Sequence, residues 1–101
     1  MTKEEIQQVS FEIVAYSGDA RTKLLQAVKK AKTHEFDESA KLIDAAQECI
    51  NEAHKSQTTL LQQEAAGENN EIGFITVHAQ DHLMTTMMLR DIVDTLVDVY
   101  R

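Results

Sequence analysis

The sequence predicts an all-α protein made of three long helices, and three observations carry that prediction. There is no proline in 101 residues and there are only three glycines, where ordinary usage would supply about five and about seven. Proline and glycine mark turns, so a chain with few of them has few turns. Aromatic residues make up 5% and tryptophan is absent, which disfavours a large β-sandwich or an aromatic-lined pocket. Apolar residues also recur at alternating three- and four-residue steps over stretches of about 30 residues, each about 45 Å long if helical. Hydrophobic residues at 43% and charged residues at 27% are ordinary for a soluble globular chain and disfavour disorder throughout.

The few turn signals divide the chain at Thr33-His34-Glu35-Phe36-Asp37 and at Gly67-Glu68-Asn69-Asn70-Glu71-Ile72-Gly73. The expected helices therefore cover residues 2–33, 37–66 and 74–101 of a single domain, 1–101. Thr2 and Glu5 have the spacing of a capping box, which satisfies two free backbone donors reciprocally. The first apolar stripe reads Ile6, Val9, Ile13, Tyr16, Ala20, Leu24, Ala27, Ala31. Lys29, Lys30 and Lys32 fall in the last turns, where they complement the helix dipole. Gly18 lies inside this helix, on a second stripe with Phe11, Val14, Leu25 and Val28, and either lets another backbone approach closely or weakens the helix there. Asp37 is the expected N-cap of the second helix. The stripe there is Ile43, Ala46, Ile50, Ala53, Gln57, Leu60, Glu64, with Gln57 and Glu64 as polar intruders. The third helix carries two stripes: Ile75, His78, His82, Thr85, Leu89, Ile92, Leu96, Val99, and Phe74, Val77, Asp81, Met84, Met88, Thr95. A helix apolar on two sides needs neighbours on two sides, so self-association is expected as well as packing within the chain.

Charge and cysteine usage narrow the function classes. Seventeen acidic residues against ten basic ones leave a formal charge of −7. Such a surface repels phosphate backbones and anionic lipid, so no nucleic acid and no membrane insertion is expected. The lone Cys49 can form no internal disulfide, and no apolar run suggests a signal peptide or membrane span. The expected location is cytoplasmic.

The segment that carries chemistry is His78-Ala79-Gln80-Asp81-His82. His78, Asp81 and His82 stand at i, i+3 and i+4, neighbouring positions of one helical surface. Ionisable groups amid apolar residues need partners or a purpose. A core histidine bonded to a carboxylate would account for one such residue better than for three in five. Two histidines at i, i+4 could share zinc, but the glutamate base of a metalloprotease and a third ligand are missing. Acid–base catalysis by a histidine–carboxylate pair has no nucleophile tied to it, Cys49 reading as inert core. Covalent phosphoryl transfer through neutral imidazole needs no substrate pocket, because the substrates are other proteins. Asp81 sits in the second stripe. If that stripe lies on a symmetry axis, its copies converge and require a proton or a hard cation such as magnesium.

Those residues resemble the lactose/cellobiose-type enzyme IIA components of the bacterial phosphoenolpyruvate-dependent sugar phosphotransferase system. The match is carried by Val77-His78-Ala79-Gln80-Asp81-His82-Leu83-Met84-Thr85. Ser17-Gly18-Asp19-Ala20-Arg21, Ala53-His54-Lys55-Ser56-Gln57-Thr58, Glu64-Ala65 and Gly67 support it in the same order along the chain. The resemblance implies an antiparallel three-helix bundle assembled as a homotrimer. It implies a phosphohistidine at His78, formed on the ring nitrogen farther from the backbone. The phosphoryl donor would be the histidine-containing phosphocarrier protein and the acceptor a cysteine of the cognate IIB component, which serves the membrane-embedded IIC. Asp81 matches the residue that binds a divalent ion, usually Mg2+, shared by three subunits. Gln80 and His82 are supporting neighbours, and His54 and Gln57 have no derived role. Lactose is the first expectation for the sugar, from the stretch Phe11–Arg21, with cellobiose and chitobiose open. The alternative to a phosphocarrier is a helical interaction or metal-binding bundle with a structural His/Asp cluster.

Overall fold

In the computed structural model, which describes residues 1–68 and 71–101, three helices account for most of the chain: α1 (Lys3–Lys32), α2 (Phe36–Ala65) and α3 (Phe74–Asp98). They run up, down and up in a slender bundle of 50 × 20 × 18 Å. α1 is the spine: it packs along both other helices, whereas α2 and α3 touch each other sparingly. Asn69 and Asn70 of the expected second loop lie outside the described residues.

The ends follow from capping chemistry. Thr2 caps α1 as expected: its hydroxyl accepts from the Glu5 backbone N–H and the Glu5 carboxylate accepts from the Thr2 N–H. α1 closes in a Schellman turn. The His34 N–H donates to the Ala31 carbonyl at 3.0 Å and the Glu35 N–H to the Lys30 carbonyl at 2.9 Å, which satisfies carbonyls the helix leaves free. This geometry puts His34 at φ 60°, a position that favours glycine. α2 ends in the same motif with Gly67 at φ 85°. Its start differs from expectation. Glu35, not Asp37, is the N-cap residue, and Asp37 and Glu38 fall in the first turn, where they oppose the positive end of the helix dipole. α3 ends at Asp98, three residues before the expected 101, and residues 99–100 form a turn.

The core corrects four further expectations. On α1, Ser10 and Ser17 are buried where Val9 and Tyr16 were expected; Val9 is half-buried and Tyr16 exposed. Each serine hydroxyl donates to a carbonyl of the preceding turn, Ser10 to Ile6 at 2.8 Å and Ser17 to Ile13, so burial leaves no polar atom unmatched. On α2 the stripe holds from Ile43 to Gln57, but Glu64 is exposed because the helices part at that level. On α3 the residues that face the rest of the chain are Thr76, Ala79, Leu83, Thr86, Val93 and Val97, a stripe on the opposite side of the helix from the two expected ones at about 100° per residue. Both expected stripes stay largely uncovered: Phe74 is 87% exposed, Met88 63% and Val99 70%. The small face of α1 takes up the small, partly polar face of α3, and Thr86 donates its hydroxyl to the Ser17 carbonyl across that contact. Gly18 likewise has open space where a Cβ would stand, so no backbone approaches it within this chain.

The core has two parts. One cluster joins the C-terminal half of α1, the N-terminal half of α2 and the C-terminal half of α3 through Leu24, Ile43, Ile50, Val93, Val97 and a set of alanines. A smaller one, Ile13, Ala53, Ala79 and Leu83, lies toward the opposite end.

Candidate functional site

The smaller cluster supports the segment His78–His82. Ala79 and Leu83 turn inward to α1 and α2, and the helical repeat then sends their neighbours outward. His78 and Asp81 are exposed, and Gln80 and His82 are half-buried. The rings of His78 and His82 meet edge to face, with centroids 4.5 Å apart and planes at 70°. Thr85 turns its hydroxyl back to the Asp81 carbonyl at 2.7 Å and to the His82 carbonyl at 3.3 Å, which ties up a potential donor on this face. The expectation that the cluster lies in a core stripe is thus corrected for the single chain. The groups share a surface with uncovered Phe74, Val77 and Met84 rather than an interior.

Among the described residues no hydrogen bond links the side chain of His78 or Asp81 to another helix, and no group of three or more His, Cys, Asp and Glu side chains is gathered closely enough to hold a metal ion. Asp81 offers one carboxylate. His34 sits in the first turn and His54 is exposed on α2, so neither joins the cluster.

Beside the cluster, an open cleft of about 530 Å³ lies between the end of α2 and the start of α3. Its floor includes Ile6, Leu60 and Val77, and Glu64 and Asp81 line it as well. The low aromatic content gave no sign of it. The cleft arises where α2 and α3 part, with Ile6 of α1 at its side.

One polar contact crosses between these two helices near the cluster. Gln57 Nε2 of α2 donates to Gln80 Oε1 of α3 at 2.6 Å. Gln57 stood out in the sequence as a polar residue in register with an apolar stripe, and that mismatch is the signal that pointed to it. Its partner could not be read, because it lies 23 residues away.

Cys49 is away from this site. It packs against the larger cluster, half-buried, and its thiol donates to Asp19 Oδ2 at 3.4 Å. Burial, reinforced by the Asp19 carboxylate, pushes the thiol pKa up. A protonated, half-buried thiol is a poor nucleophile, in line with the inert role expected for it. The hydrogen bond from Lys23 holds the Asp19 carboxyl below its usual range.

Comparison with known proteins places this geometry. The model of the family described as PTS system, lactose/cellobiose-specific IIA subunit, matches residues 8–101. A lactose-specific EIIA component from Staphylococcus epidermidis is 50% identical over 101 residues, which cover 100% of this chain and 97% of that protein. The crystal structure of a cellobiose-specific enzyme IIA from Bacillus anthracis superposes with a TM-score of 0.92 at 38% identity, covering 99% of this chain and 90% of the other. The IIA(Chitobiose) component of the Escherichia coli phosphotransferase system, solved in complex with HPr, superposes with a TM-score of 0.80 at 32% identity, covering 94% and 92%. The chain belongs to the lactose/cellobiose-specific IIA family of the phosphotransferase system.

Proposed function

We propose that this IIA protein carries phosphoryl groups from one protein to another, accepting them on Nε2 of His78. The donor is the phosphohistidine of the histidine-containing phosphocarrier protein. The acceptor is the cysteine of the cognate IIB component, which phosphorylates lactose or a related disaccharide as it enters through IIC. A solved relative in complex with HPr supports the choice of donor. The neutral imidazole attacks through the Nε2 lone pair while its proton stays on Nδ1. A P–N bond forms at His78 as the donor's P–N bond breaks. In the second transfer that bond breaks as a P–S bond forms on the IIB cysteine. Positioning and charge stabilisation supply most of the catalysis in such transfers.

The observation that carries this reading is the placement of His78, exposed on α3 beside uncovered Phe74 and Val77. A histidine there can be reached by another protein's phosphohistidine, and the surrounding apolar side chains become a water-poor contact once the donor docks. The rival reading, a structural His/Asp cluster, is disfavoured by the same fact, since neither His78 nor Asp81 is bonded across the bundle. Incubation with phosphoenolpyruvate and the two general phosphotransfer proteins tests it. The expected result is an acid-labile mass gain of one phosphoryl group, abolished in His78→Ala. An intact protein that gains no mass refutes it.

The same reading includes a homotrimer with one divalent ion held through three copies of Asp81. Asp81 stands on an uncovered apolar stripe with Val77 and Met84, which supports a face completed by other copies. Oxygen-only ligation suits Mg2+, and the ion's charge would relieve repulsion among converging carboxylates. Sedimentation and metal analysis check this, and a metal-free monomer would overturn it. Asp81→Ala is expected to keep the trimer, because it removes the repulsion together with the need for the ion. The protein works in the cytoplasm and reaches the transporter through IIB; among the described residues no helix is long and apolar enough to cross a membrane.

A further inference from the structure

We infer that the Gln57–Gln80 amide pair is a positioning device that sets the rotation of α3 and thereby aims His78, an inference that rests on His78 being the phosphoryl acceptor. Gln57 is only 8% exposed. A carboxamide in an apolar stripe is costly unless bonded, and this one is bonded to a single residue, two positions after His78. The bond also crosses the bundle where little else does. α2 and α3 touch sparingly, and the cleft lined by Leu60, Val77 and Gln80 opens beside the pair. On its other side α3 is held one turn earlier, where the Thr76 and Ser10 hydroxyls meet at 3.0 Å. Two side-chain hydrogen bonds, one to each flanking helix, therefore clamp the N-terminal half of α3.

The helical repeat converts that clamp into an aim. Gln80 lies roughly 200° around the axis from His78 and roughly 100° from Asp81. Holding Gln80 against α2 turns His78 to the far side of α3, with Asp81 between the two directions. At a side-chain radius of ~6 Å, a rotation of ~10° carries the imidazole sideways by ~1 Å. A displacement of ~1 Å can slow an in-line transfer by about a hundredfold. Apolar packing against such a rotation is confined here to Ala79 and Leu83 against Ile13 and Ala53, and an open cleft lies beside them.

The test compares Gln57→Leu, Gln80→Leu and the double variant in the full chain, using the phosphorylated histidine-containing phosphocarrier protein as donor. Leucine keeps most of the volume and removes the bond. Each single variant is expected to lower kcat for phosphoryl acceptance about tenfold with KM for the donor unchanged, and the double variant to be no slower than the slower single, since all three lack the same bond. Circular dichroism and sedimentation are expected to match the parent. A purely structural role would move the melting temperature and leave kcat alone. Folded single variants with parental kcat overturn the proposal, as does a rise in KM alone or a multiplicative loss in the double variant. If Gln57→Leu does not fold, Gln80→Leu, at a half-buried position, decides the matter by itself. Failure of the underlying reading is distinguishable, because His78→Ala would then still accept the phosphoryl group.

Discussion

The two ends of the bundle combine apolar packing and hydrogen bonds in different proportions. At the end where α1 turns into α2, helices are joined by methyl and methylene groups: Leu24, Ile43, Ile50, Val93, Val97 and alanines make one continuous apolar cluster. At the end that carries His78, the apolar cluster shrinks to Ile13, Ala53, Ala79 and Leu83. Hydrogen bonds between side chains supplement it there, Ser10 with Thr76 and Gln57 with Gln80, as Arg90 with Gln47 does beside the larger cluster. Apolar contact is tolerant of direction, whereas a hydrogen bond is lost with a small displacement or turn. Both ends use both kinds of force, and the end that carries His78 has the smaller apolar cluster beside its hydrogen bonds.

The largest expected effects come from cutting equal leucines out of the two ends. Leu24 and Leu83 are both fully buried. Replacing either by alanine should cost about 2–5 kcal/mol in urea denaturation. Measured well below either midpoint, Leu24→Ala should accept phosphoryl groups at the parental rate, and Leu83→Ala should be slower, since Leu83 lies one turn from Ala79 and His78. Equal rates in the two variants would break the comparison.

A smaller effect sharpens the comparison from the other side. His34 holds a left-handed conformation, φ 60°, at the position that Gly67 fills after α2. Both turns make the same pair of backbone bonds, so only the side chain differs in principle. His34→Gly should stabilise the chain by about 1 kcal/mol, relief of strain outweighing the added freedom of the unfolded chain. Raised thermal stability with unchanged phosphoryl acceptance is the expected pair of results, because this turn lies at the end remote from His78.

Much of this was legible in the chain itself, and the gaps have physical causes. The missing prolines, the capping box at Thr2 and the alternating steps of Ile43, Ala46, Ile50 and Ala53 located three helices to within a few residues. Ser10 and Ser17 were passed over because apolar periodicity does not register a hydroxyl that bonds its own helix. The side of α3 that faces its own chain was not legible for another reason. A helix with apolar residues on several sides does not announce which of them faces its own chain, and here Thr76 and Thr86 mark that side while Met84 and Met88 do not. The segment His78–His82 stood out because ionisable groups interrupt an apolar pattern at helical spacing. Its support through Gln57 did not, because a bond between distant positions leaves no local trace.

The spine role of α1 has a consequence for how the molecule comes together and comes apart. α1 and α2 are neighbours in the chain, joined by a turn of three residues, 33–35, and packed along their length. Their hairpin closes a short loop, which is entropically cheap and fast. α3 must return from a longer excursion and has only one extensive partner within the chain. It is therefore expected to dock last and to be released first. Backbone amides of α3 should exchange with solvent hydrogen through partial openings that leave the α1–α2 hairpin protected. The helix that bears His78 is the least extensively packed of the three within one chain.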